Sequence, residues 1–234
     1  MNAESENENK LESDRFLISR GFNPEELLID YFHRHRRFDP SMPVEYNMHD
    51  TMKETKVRWE FIDKFGFAIL SLGAVEAIRP YQPLLELGAG SGYWSYELKR
   101  FGIDVIATDP FDQETVSRSN TGMESKGDKV WEHRYTEIEQ LAAVDAIRKY
   151  PSRNLLIVWP SLWSSWAAGA LEVYTGNTVI YFGENQGDAC ADDRFFELLD
   201  ERFADRTYVP MPHFWGCHDR WLLIARKPKQ LWNQ

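Results

Sequence analysis

Gly88, Gly90 and Gly92 stand at alternate positions in the chain, with Glu86 just ahead of them and Asp109 some way beyond. Alternate glycines let a main chain bend sharply and leave its amides open to a ligand, because no Cβ stands in the way. The chemistry implied is nucleotide binding. A dinucleotide fingerprint would need glycines at the first, third and sixth positions. Counted from Gly88 the sixth residue is Tyr93, and from Gly90 it is Ser95. The spacing is wrong for a pyrophosphate.

The flanking residues predict the elements that hold this bend. Leu84, Leu85 and Leu87 form a short apolar run of the kind found in strands buried on both faces. Tyr93–Arg100 carries Trp94, Leu98 and Phe101 at helical spacing, and Gly102 is a natural stop. Ile103–Thr108 is a second β-rich run that ends at Asp109.

The arrangement acid-x-Gly-x-Gly-x-Gly, followed by an acid closing the next strand, resembles the class I S-adenosylmethionine (SAM)-dependent methyltransferases. The resemblance covers about Tyr81 to Pro228. It implies SAM as cofactor, Glu86 near its amino group, Gly88, Ala89, Gly90 and Gly92 along its methionine and ribose, and Asp109 on the ribose hydroxyls. It also implies a Rossmann-like α/β fold: a seven-stranded, mostly parallel sheet with a terminal antiparallel strand and helices on both faces. Thr136 and Glu137, after a third strand expected at Val130–Tyr135, fall where the family often has an adenine contact. The segments Trp159–Pro160, Tyr181–Glu184, Asp192–Leu199 and Trp215–Trp221 further resemble a little-characterised group of methyltransferase-like proteins, which implies no substrate.

Ligands of open α/β sheets lie beyond the carboxyl ends of the strands. Leu155–Val158 is the expected fourth strand, so Trp159, Pro160, Ser161 and Trp163 should face the same crevice as the glycines. Amine-directed members of the family carry a polar residue and two prolines there; this chain has Trp159 and Ser161 instead. An aromatic at this place can stack on a planar substrate or face the sulfonium of the cofactor; it can equally be a core residue. Glu184 leaves the fifth strand, Thr178–Phe182, where a general base would sit, or where an ordinary loop acid would. His213 and His218 in the last connection are further base candidates, since histidine titrates near neutrality. Cys217 and Asp219 stand with them, yet the spacing matches no metal-ligand pattern, and no metal is expected.

The rest of the chain bounds the reading. Its 234 residues suit one domain with a terminal extension. A net charge of −10 argues against nucleic acid held through phosphate contacts, and 9 Trp, 10 Tyr and 14 Phe are enough to line a pocket as well as fill a core. No apolar run approaches membrane-spanning length and no signal-peptide core is present, so a cytoplasmic chain is expected. Residues 1–14 are expected to be a disordered acidic tail, 15–79 a helical extension, and 80–234 the SAM-binding domain. Helices are expected from Asn23 and Pro24, over Thr55 to about Leu70, and over Gly73–Ile78, with Lys64–Ser71 a candidate wall of the site. The basic run His33–Arg37 reads as a helix end, and 110–128 as a long loop beside the cofactor. The expected activity is methyl transfer to O or N of a small molecule. The alternatives are protein methylation and a SAM-binding module without catalysis.

Overall fold

The structure is a computed structural model that describes residues 10–24, 48–111, 133–214 and 217–228, with the side chains of 48–51 left aside. In chain order come α1 (Glu12–Ser19), α2 (Met48–Lys64), α3 (Leu72–Ile78), β1 (Leu84–Leu87), α4 (Tyr93–Arg100), β2 (Val105–Asp109), β3 (Ile138–Gln140) and α5 (Ala143–Lys149). There follow β4 (Asn154–Val158), α6 (Trp166–Val173), β5 (Thr178–Phe182), α7 (Asp193–Arg202), β6 (Asp205–Pro210) and β7 (Trp221–Arg226). The strands form one seven-stranded sheet in the order β3-β2-β1-β4-β5-β7-β6. β1 to β5 are parallel to one another, and β7 runs antiparallel between β5 and β6. This is the seven-stranded, mostly parallel sheet with a terminal antiparallel strand that the Rossmann-like expectation calls for. The antiparallel strand is last in sequence but lies inside the sheet, and β6 forms the edge.

Alternation along the central strands builds two cores, because successive side chains leave a strand on opposite faces. Leu84, Leu156, Ile180 and Phe182 pack with Phe61, Ile78, Tyr93 and Leu98 of α2, α3 and α4 and with Phe65 just after α2. Leu85, Leu87, Leu155, Ile157, Val179 and Tyr181 pack with residues of α5, α6 and α7. A strand so placed tolerates no polar residue without a partner, which makes Glu86 in β1 conspicuous. α4 ends as its sequence predicts. Gly102 is left-handed and its N–H donates to Lys99 O at 2.9 Å, while Ile103 N–H reaches Leu98 O at 3.0 Å. That pair of bonds is a Schellman stop.

Three expectations need correction. The acidic tail ends earlier than residue 14: Leu11 is buried, α1 begins at Glu12, and the Glu12 amide donates to Glu97 Oε1 at 2.7 Å. Leu11 and Leu17 anchor a segment whose charged neighbours conceal it. α2 starts at Met48 and stops at Lys64, so Phe65–Leu70 is a connection rather than helix. The third strand described is Ile138–Gln140; of the expected Val130–Tyr135, residues 133–135 are not strand and 130–132 lie outside the described residues. Pairing with Ala107–Asp109 selects these three residues. The helix expected after Asn23, the basic run 33–37 and the loop 112–128 lie outside the described residues.

Candidate functional site

At the carboxyl end of β1 the chain turns through Gly88, Gly90 and Gly92, with φ of 69°, 56° and 73°. Side-chain-bearing residues rarely adopt these angles. Space confirms the demand at two of the three. A Cβ on Gly88 would lie 3.1 Å from the Trp166 ring, and one on Gly92 would lie 3.0 Å from Ile138 Cδ1 and Thr136 Cγ2. The turn is tied to the sheet by Ala89 N–H on Thr108 O, 3.0 Å, and closed by Gly92 N–H on Ala89 O, 2.8 Å. Asp109 ends β2 alongside. Its Oδ2 accepts from Gly90 N–H at 3.0 Å and its Oδ1 from Phe111 N–H at 2.8 Å. The expected carboxylate therefore faces the expected glycines.

Glu86 behaves differently from its neighbours. It is 2% exposed, and Ser95 Oγ in the first turn of α4 donates to its carboxylate. Burial pushes its pKa up to about 7, Ser95 opposes that rise, and the nearby Asp109 charge adds to it. The residue joins β1 to α4 beneath the turn.

The connection Phe65–Ser71 forms one wall. Ser91 Oγ donates to Phe65 O, Trp94 Nε1–H to Ala68 O at 3.0 Å, and Tyr135 N–H to Ser91 O at 2.9 Å. Phe67 stacks on Trp159, with centroids 5.8 Å apart and planes 13° from parallel. Trp159 and Trp163 have left-handed backbones, at φ 49° and 55°. Two loops are stapled here: Trp163 N–H donates to Ala191 O at 2.8 Å, Ala191 N–H to Pro160 O at 3.1 Å, and Ser161 bridges Cys190. Trp163 is left 69% exposed on this fixed frame. Non-glycine residues at positive φ gather where the fold over-determines them, often at functional sites.

Thr136 and Glu137 precede β3 rather than follow it. Thr136 packs on Gly92 and accepts from Lys99 Nζ at 2.9 Å, while Glu137 is exposed. The carboxyl end of β3, level with Asp109, holds Gln140, whose Nε2 donates to Pro110 O at 3.2 Å. Placing the strand wrongly hid that residue.

The three base candidates separate. Glu184 is 6% exposed, and its oxygens accept from Ala189 N–H and His218 N–H, each at 2.9 Å. It is a tie between two loops. His213 is 1% exposed between buried Met211 and Phe214, and burial lowers its pKa to about 4. His218 is different: its ring is 54% exposed and its Nδ1 lies 3.2 Å from Asp188 Oδ2. Because Phe182 pairs with Leu222, the connection before β7 sits at the carboxyl end of β5. Sequence spacing gave no hint of Asp188, which reaches His218 only through this pairing. Among the described residues no three His, Cys, Asp or Glu side chains are grouped to hold a metal ion, and no helix is long and apolar enough to cross a membrane.

No family model and no curated protein matches the chain. Among solved structures, it is similar to the magnesium protoporphyrin IX methyltransferase of Synechocystis PCC 6803 with bound SAM. The identity is 10% and the TM-score 0.40, over 97% of this chain and 100% of that one. The same enzyme with bound SAH gives 11% and 0.39, over 87% and 97%. A protein of the NADB-Rossmann superfamily from Streptococcus agalactiae gives 14% and 0.40, over 70% and 71%. Likeness at this level leaves function to be argued from the site itself.

Proposed function

We propose that the protein is an SAM-dependent methyltransferase acting on O or N of a small-molecule acceptor. The observation that carries the reading is Asp109: a carboxylate closing β2, aimed at a turn that is glycine three times over. The donor set fits a nucleoside. The main chain at Gly88, Gly90 and Gly92 presents no Cβ to a ligand, Asp109 offers acceptors for the ribose hydroxyls beside the two amides it already holds, and the aromatic pair Phe67–Trp159 offers a π surface for a sulfonium.

SAM, when bound, supplies an already activated methyl group. The chain's own task is then alignment, exclusion of water and, for an acceptor that arrives protonated, removal of a proton. Trp163, exposed on a fixed backbone, gives a planar acceptor a stacking surface. His218 is the base candidate the geometry favours. Donation from Nδ1–H to Asp188 leaves Nε2 with its lone pair, as in other carboxylate-oriented histidines. β5 lies two strands from β1, or roughly 10 Å at the usual spacing. It lies on the side of β1 away from Asp109, which suits an acceptor approaching the sulfonium from the side opposite the ribose.

Tritiated methyl transfer from SAM into a fractionated cell extract tests the reading. Label in a small-molecule fraction, lost on His218→Asn, is the expected outcome. Label only in protein would replace the acceptor class, and tight SAM binding with no label anywhere would leave a binding module.

A further inference from the structure

At the end of the sheet opposite the glycine turn lies a cavity of about 660 Å³. Thr178 opens β5 there, and Arg202, Asp205, Arg226 and Lys227 stand around it. Three cations thus face one carboxylate, on a chain whose net charge is −10. Asp205 Oδ2 is 2.7 Å from Arg226 Nη2. The other two cations are held by carbonyls: Arg202 donates to Leu171 O and Tyr174 O, and Lys227 Nζ to Thr175 O at 2.8 Å. Carbonyls satisfy the hydrogen bonds without cancelling the charge. The last turn of α6 supplies some of these oxygens, and a helix end carries only about half a negative charge. Two full cations exceed it.

Two further observations point toward an anion. Arg226 Nε–H is buried and has no hydrogen-bond partner, and a buried donor left unmade is costly. Lys227 is held below the usual lysine range, first by burial and then by the charge of Arg202. A bound anion would reverse the second of these effects. The cavity is much larger than a phosphate ion and lies within the range of small-molecule sites, about 300–1,000 Å³.

We propose that this cavity binds the phosphate group of a small phosphate monoester, at a site separate from the glycine turn. Arg226 and Lys227 hold the phosphate oxygens, and the remaining volume takes the organic part. The site does not depend on the methyltransferase reading. It is tested on the full chain by calorimetry with inorganic phosphate and with ribose 5-phosphate, ionic strength being held constant with chloride. Saturable binding is expected for both, competitive between them and tighter for the ester. Arg226→Lys keeps the charge but removes the Nε donor, and Lys227→Gln removes a charge; each should weaken binding at least tenfold while SAM affinity stays unchanged. Heats that follow ionic strength alone, or binding unaltered in both variants with native circular dichroism, would overturn the proposal.

Discussion

Asp109 Oδ2 lies 3.0 Å from the amide nitrogen of Gly90, which joins the carboxylate that closes β2 to the turn that closes β1. Parallel pairing sets this relationship up, since Leu87 stands opposite Thr108 and so places the two strand ends side by side. The bond orients the carboxylate over a stretch of main chain that presents no side chains at its glycines. The cofactor site proposed here depends on that orientation.

The turn itself should resist substitution. Gly92→Ala demands a left-handed alanine, at about 1–2 kcal/mol, and a Cβ placed 3.0 Å from Ile138 and Thr136. A loss of roughly 2–4 kcal/mol in chemical denaturation is expected. Gly102→Ala, where nothing lies within 4 Å of the added Cβ, should cost only the conformational part.

Glu86 gives the fold a pH dependence of unusual sign. Its folded pKa is about 7, above the value of 4.5 for the free side chain, so the native state binds the proton more tightly. The associated stability is complete below pH 4.5 and is lost as the pH rises through 7, by about 3 kcal/mol at most. Glu86→Gln should remove this slope in urea titrations and leave the protein more stable than the parent at pH 8.

His218 and Asp188 should act together. His218→Asn is expected to lower kcat about a hundredfold with an acceptor that carries a proton, and Asp188→Asn by less. Glu184→Gln keeps its shape but weakens a loop tie, so thermal stability should respond more than the pH profile.

Trp163 offers a cleaner separation of binding from folding. Trp163→Ala removes a ring that is 69% exposed, so stability should change by less than about 0.5 kcal/mol. A severalfold rise in acceptor KM at nearly constant kcat would mark it as a stacking surface.

Much of this arrangement was legible in the sequence, for reasons that can be named. β1, α4 and β2 have local signals that agree with their tertiary roles: a leucine run, a helical period closed by Gly102, and positions where only glycine fits. β3 has no such agreement. Its three residues are chosen by pairing with β2, a signal that does not lie in the local sequence, so Gln140 stays concealed. α1 was hidden because Leu11 and Leu17 lie among charges, and only docking on Tyr93 and Glu97 makes them core. The histidines could be found as residue types, but their burial could not. His213 turns into the core and His218 outward because the β6–β7 connection folds under α2, where Phe61 meets Phe214.

The most direct test is calorimetric titration of SAM into the parent protein and into Asp109→Ala, with circular dichroism to establish that the variant is folded. Loss of two charge-assisted hydrogen bonds, at about 1.5–3 kcal/mol each, predicts affinity at least a hundredfold weaker in the variant. A folded Asp109→Ala protein that binds SAM as tightly as the parent would contradict the account.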